Sequence, residues 1–163
     1  MSLLKTLIRK DIKARLLKAG AAIGNNVDIF GGYFDYKYAY LLEIGDNVTI
    51  THSTILLHDA SIKKFLGYAK LGRVSIGNNC FIGYGSIVLP GVSIGNDVIV
   101  GAGTVVRSDI PDGCVVVGNP MQIICKTEEY LHHHRELLQS TRLIMPLDAK
   151  PEEDIRKFYL DPK

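Results

Sequence analysis

From Ile76 to Pro111 the chain can be written in sixes: IGNNCF, IGYGSI, VLPGVS, IGNDVI, VGAGTV, VRSDIP. An aliphatic residue opens every block, at Ile76, Ile82, Val88, Ile94, Val100 and Val106, and glycine follows it at Gly77, Gly83, Gly95 and Gly101. The fifth place is small or β-branched: Cys80, Ser86, Val92, Val98, Thr104. A helix of period 3.6 cannot keep such columns on one face. A parallel β-helix can, because a few extended residues and a turn carry the chain round a prism and return each aliphatic to the interior. β-Branched residues suit these half-buried pleats. Glycine and Asn, as in Gly77-Asn78-Asn79 and Gly95-Asn96-Asp97, are expected at the corners, where turn dihedrals exclude most residues.

The period extends upstream. It starts at Ile23-Gly24-Asn25-Asn26-Val27, breaks at Gly31-Gly32 where Tyr33, Tyr36, Tyr38 and Tyr40 crowd together, and returns at Ile44, Ile50 and Leu56. Ile44 and Ile76 are 32 positions apart, two more than five sixes, so a segment is inserted. The aperiodic stretch from Asp59 to Arg73 is the expected insertion, and such loops often carry the binding face of a repeat protein. Residues 2–19 read as a helix with Leu4, Ile8, Ile12 and Leu16 on one face and lysines and arginines on the other. It is either a cap on the open end of the prism, the favoured reading, or a membrane-surface helix. A second helix is expected from Thr127, with Glu128 and Glu129 in its first turn, followed by a tail from Met145.

One domain over 1–163 is expected, with an N-terminal helix in 1–22, a β-helix in 23–124 carrying the 59–73 loop, and a C-terminal helix and tail in 125–163. A net charge of +2 implies no nucleic-acid footprint. The odd count of three cysteines, without a CxxC motif, reads as reduced thiols in a cytoplasmic protein. No secretory leader and no apolar run of about 18 residues is visible.

Four stretches go beyond the repeat: Leu56-Leu57-His58-Asp59 before the loop, Phe81-Ile82-Gly83-Tyr84-Gly85, Gly101-Ala102-Gly103-Thr104-Val105-Val106, and Gly118-Asn119-Pro120-Met121-Gln122-Ile123-Ile124. Together with the repeat they resemble the hexapeptide-repeat acyltransferases, especially the galactoside, maltose and xenobiotic O-acetyltransferase group and its polysaccharide-modifying relatives. The resemblance covers roughly Ile23 to Ile124. It implies an all-β, left-handed parallel β-helix, against the usual right-handed crossover. It also implies a homotrimer with active sites between subunits, and acetyl-CoA as acyl donor. His58 matches the family's general base and the Tyr84 backbone amide its oxyanion donor. Phe81, Gly83, Tyr84 and Ala102 match the wall along pantetheine. Arg107 and Lys126 lie where the family has phosphate-binding cations, and Ser108 stands where a lysine is common.

Acyl transfer from a thioester to an alcohol needs a base for the hydroxyl proton and donors for the developing oxyanion. Tyr33, Asp35 and Tyr36 suit a sugar-like acceptor, with flat rings and a hydrogen-bond acceptor; alternatively the tyrosines fill a subunit interface. Glu43 and Asp46 are both candidates to orient His58. Lys63, Lys64, Lys70 and Arg73 are candidate loop cations. Rival readings are an N-acyltransferase for an amino sugar, a γ-type carbonic-anhydrase-like zinc protein using His52 and His58, and a non-catalytic scaffold. The His52–His58 spacing differs from the His-x4-His of that zinc class, so no metal is expected. The run His132-His133-His134 resembles a metal tract, but consecutive helical residues diverge, and His134 is expected to pack. Cys80, facing inward, is not expected to act as a nucleophile.

Overall fold

The computed structural model describes residues 3–140, with side chains described for 11–138. The tail read from Met145 onward lies outside the described residues. The chain separates at Glu128/Glu129 into two compact units.

The first unit opens with helix α1 (Leu3–Lys18). Each turn of the prism then contributes three short strands. The first coil holds β1 (Ala22–Ile23), β2 (Asp28–Ile29) and β3 (Gly32–Phe34), followed by a 3-10 turn over Tyr36–Leu41. The second holds β4 (Leu42–Ile44), β5 (Thr49–Ile50) and β6 (Ser53–Ile55). An arm follows, made of β7 (His58–Asp59), the one-turn helix α2 (Lys63–Leu66) and β8 (Lys70–Leu71), in which β7 and β8 pair antiparallel. The third coil holds β9 (Val74–Ile76), β10 (Phe81–Ile82) and β11 (Ile87–Val88); the fourth, β12 (Ser93–Ile94), β13 (Ile99–Val100) and β14 (Val105–Val106). The prism ends with β15 (Cys114–Val117), and β16 (Gln122–Lys126) folds back antiparallel on it. Ile123 and Ile124 thereby extend a sheet and stay half exposed, instead of closing the end of the prism.

Parallel stacking gives three faces: β1-β4-β9-β12, β2-β5-β10-β13-β15 with β16 outside it, and β3-β6-β11-β14. The coils wind as a left-handed β-helix. The registers Ile44↔Ile76 and Ile76↔Ile94 put these residues on neighbouring coils. One coil is therefore 18 residues, and the 32 between Ile44 and Ile76 hold a single coil plus the arm, a larger excess than the two positions counted in sixes. The inward columns close as expected: Ile44, Ile50, Ile55, Ile76, Ile82, Val88, Ile94, Val100 and Val106 are buried, as is the fifth-place column from Cys80 to Thr104. Each such Ile or Val contributes about 1.5–3 kcal/mol of burial. Helix α1 caps the prism, since Ile12 and Leu16 enter the same core cluster. Among the described residues no helix is long and apolar enough to cross a membrane.

The corner between the first and second faces explains the Ile-Gly-Asx signature. Asn25, Asp46, Asn78 and Asn96 each donate a backbone N–H to the Asx side chain one coil up, at 2.6–2.9 Å. A second ladder links the side chains of Asn26, Asn47, Asn79 and Asp97, the residues that adopt positive φ. The glycine is needed for a different reason from the turn dihedral expected of it. A Cβ at Gly77 would sit 2.6 Å from the Gly95 carbonyl, so close approach of adjacent coils excludes any side chain there.

The described part of the second unit is the remainder of α3 (Thr127–Ser140). Within it His134 stacks on Tyr130 at 4.2 Å and meets His133 edge-on at 5.7 Å, while His132 faces Glu136.

Candidate active site

The coil insertions gather at the corner joining the third face to the first, and His58 and Asp35 meet there. Asp35 directly follows β3, and His58 opens the arm one coil on. Asp35 is 5% exposed, and its Oδ2 lies 2.5 Å from Nδ1 of His58. The same oxygen accepts the backbone N–H groups of Leu57 (3.0 Å) and His58 (3.2 Å). Burial pushes the Asp35 carboxyl up, but the His58 side-chain bond, the Leu57 N–H and the attraction of His58 outweigh it and hold the group below its ordinary value. Asp35 is thus a carboxylate that accepts the Nδ1 proton. That tautomer leaves the Nε2 lone pair of His58 free to act as a base.

Asp35, expected at the acceptor, thus lies beneath His58 and orients it. Neither residue considered for that role does so: Glu43 pairs with Arg73, and Asp46 belongs to the Asx ladder. Tyr36 is half-buried, with the Arg15 guanidinium 4.2 Å above its ring. Tyr38, a member of the same tyrosine cluster, lies against His58, with ring centroids 5.0 Å apart. Tyr33 is half exposed with its hydroxyl 3.4 Å from Asp35 Oδ1. The 3-10 turn brings Tyr38 into place, and a break in hexapeptide phase carries no sign of which ring will face the histidine. Of the loop cations, Lys70 pairs with Asp59 and Arg73 with Glu43, while Lys63 and Lys64 stand exposed on α2.

The corner between the second and third faces carries Gly83, Tyr84 and Ala102. The Gly83 carbonyl accepts the buried Ser53 hydroxyl at 2.9 Å and the Ser86 N–H at 3.2 Å. In a trans peptide the N–H opposes the carbonyl, so the Tyr84 amide points away from the core. Among the described residues it makes no hydrogen bond. The Gly101 carbonyl is held in the same way by Ser86 and Thr104, which turns the Ala102 amide outward one coil above. Gly83 permits this spacing, because a Cβ there would meet the Ala102 nitrogen at 2.6 Å. Phe81 stands on the second face between Thr49 and Ile99, 42% exposed.

These candidates occupy three corners of one chain. His58 shares its corner with Arg107 and Ser108, which follow β14; Gly83, Tyr84 and Ala102 share another. Lys126, paired in register with Cys114 and contacting its sulfur at 3.5 Å, lies at the opposite end of the second face from Tyr84. The chain by itself therefore does not bring Lys126 to the Tyr84 corner, nor Tyr84 to His58. His52 and His58 also face different partners, Tyr84 and Asp35, and among the described residues no cluster of three metal-ligating side chains occurs. Cys80 is buried, and burial pushes its thiol up.

Residues 73–108 match the family described as hexapeptide repeat of succinyl-transferase. The protein CapG of Staphylococcus aureus is 40% identical over 135 residues, covering 78% of this chain and 78% of CapG. Two solved structures share the fold. A galactoside acetyltransferase in complex with coenzyme A matches at 30% identity and TM-score 0.51, over 66% of this chain and 56% of that one. A maltose O-acetyltransferase from Clostridium difficile 630 matches at 25% identity and TM-score 0.51, over 77% and 89%. The prism, the ladder-built corners and these relatives define a hexapeptide-repeat enzyme of the acyltransferase class. The chain belongs to the hexapeptide-repeat acyltransferase family.

Proposed function

We propose that this chain transfers an acetyl group from acetyl-CoA to a hydroxyl of a sugar-like acceptor, directly within a ternary complex. The observation that carries this reading is the His58–Asp35 pair, which leaves one imidazole nitrogen free at a half-exposed corner. His58 Nε2 removes the acceptor's hydroxyl proton as the oxygen attacks the thioester carbonyl carbon. A C–O bond forms, the C–S bond breaks, and the proton passes to the departing sulfur, giving an acetyl ester and free coenzyme A. The Tyr84 amide receives the developing oxyanion, a contribution of about 10²–10³ in rate.

Donor binding falls to Phe81, Gly83, Tyr84 and Ala102, with Arg107, Ser108 and Lys126 toward the phosphates. The galactoside acetyltransferase, solved with coenzyme A, supports the choice of donor. The galactoside and maltose enzymes support a sugar-like acceptor, and the rings of Tyr33 and Tyr38 beside His58 offer flat faces for it. The separation of His58 from Tyr84 within one chain supports a homotrimer, in which the Tyr84 corner of one subunit faces the His58 corner of another. Exposed Phe65, Leu66 and Tyr68 on the arm supply apolar surface for that contact.

Free-thiol release from acetyl-CoA, measured against a panel of sugars and amino sugars, tests the reading and separates O- from N-transfer. If His58→Ala released thiol as fast as the wild type with its best acceptor, the mechanism would fail.

A further inference from the structure

The corner one coil below Tyr84 contains a backbone exception. His52 has φ +44°, while every other described residue with positive φ is glycine, Asn or Asp. Left-handed backbone is uncommon outside glycine, and His joins Asn and Asp among the side chains that tolerate it; what sets His52 apart is where its ring lies. Its neighbours accommodate it. The His52 ring lies where a Cβ on Gly31 would be, 2.6 Å from Cε1, and its centroid is 5.3 Å from that of Tyr84.

The two flanking residues reach toward the same segment. The Thr51 hydroxyl donates to the Ile82 carbonyl at 2.8 Å, and the Ser53 hydroxyl donates to the Gly83 carbonyl at 2.9 Å. Residues 51–53 span the corner between β5 and β6, directly against the corner of the next coil. Thr51, His52 and Ser53 thereby each hold one of Ile82, Gly83 and Tyr84.

We infer that His52 is a positioning residue for acyl transfer. Its ring braces Tyr84 while Ser53 fixes the adjoining carbonyl, so that the Tyr84 amide is held rigidly outward for the thioester oxygen. The inference rests on the acyl-transfer reading and deepens it. The effect belongs to the transition state, so kcat responds and donor binding does not.

The test compares wild type, His52→Gly and His52→Phe in three measurements: coenzyme A affinity by titration calorimetry, kcat by thiol release with the best acceptor, and Tm. Glycine adopts the left-handed corner freely, so His52→Gly is expected to keep or raise Tm. It should bind coenzyme A like the wild type and lose roughly five- to tenfold in kcat, the scale of one aromatic pair. His52→Phe retains a ring against Tyr84 and should recover most of the rate. Wild-type kcat in His52→Gly, or a His52→Phe rate as low as that of His52→Gly, would overturn the inference while leaving the acyl-transfer reading intact. A wild-type protein that neither binds coenzyme A nor releases thiol would overturn both.

Discussion

Replacing Asp35 by asparagine changes one oxygen to an amide nitrogen at the buried end of the His58 dyad, and its effects can be worked out from the contacts. The carboxylate accepts from His58 Nδ1 and from two backbone N–H groups. Oδ2 alone accepts all three, so asparagine keeps these bonds only with its amide oxygen in that place and its NH₂ toward the Tyr33 hydroxyl. The Nδ1–H tautomer then survives, but the oxygen beneath it is neutral and no longer stabilises the imidazolium that forms as Nε2 takes the acceptor's proton. The expected loss in kcat is that of a general base, on the order of 10²–10⁴. Stability falls much less. Hydrogen bonds to a charged group contribute about 1.5–3 kcal/mol against about 0.5–1.5 for neutral ones. A net loss of about 1–2 kcal/mol follows, or about 2–8 °C in Tm for a chain of this size. Histidine ¹⁵N shifts report the tautomer without any knowledge of the acceptor, and thiol release reports the rate. An Asp35→Asn protein with kcat within about threefold of wild type would refute the assignment of Asp35.

Other outcomes follow from the same structure. The Asp35 carboxyl is held below its ordinary value of 3.8, so its contribution is complete above that pH and is lost as pH falls through the lower, folded value. The Tm gap between wild type and Asp35→Asn should therefore stay constant well above pH 3.8 and close on further acidification, as thermal scans along a pH series would show. Gly77→Ala places a methyl 2.6 Å from the Gly95 carbonyl and 2.9 Å from the Asn96 nitrogen, both backbone. Strain of about 1–3 kcal/mol is expected in urea unfolding, although φ at Gly77 is not positive. Leu16→Ala removes a fully buried side chain from the cap and should cost about 2–5 kcal/mol by the same measurement; an unchanged midpoint would show that α1 does not close the prism. In the native protein Cys80, buried with its thiol pushed up, should resist iodoacetamide while partly exposed Cys125 reacts, read by peptide mass after a timed quench.

The columns of Ile and Val determined the prism before any coordinates, because a period of six leaves only one way to bury every sixth residue. His58 was legible as a candidate base only through the likeness of Leu56-Leu57-His58-Asp59 to the family's segment. Its partner was not. Asp35 and His58 are 23 positions apart, with two insertions disturbing the phase around them. Repeat counting therefore cannot show that they share a corner, and Glu43, which lies nearer in the sequence, turns instead to Arg73. Tyr36 and Tyr38 look alike in composition, yet the 3-10 turn sends one ring to Arg15 and the other to His58. The glycine of each Ile-Gly-Asx triplet was expected for its dihedral, whereas the neighbouring coil excludes a side chain by proximity. Short-range pattern specifies which residues go inside, since burial depends only on the strand's alternation. Which polar groups meet at a corner depends on the stacking of coils far apart in the sequence. Only the tertiary structure decided that, and with it the ionised Asp35 that leaves His58 with a free nitrogen.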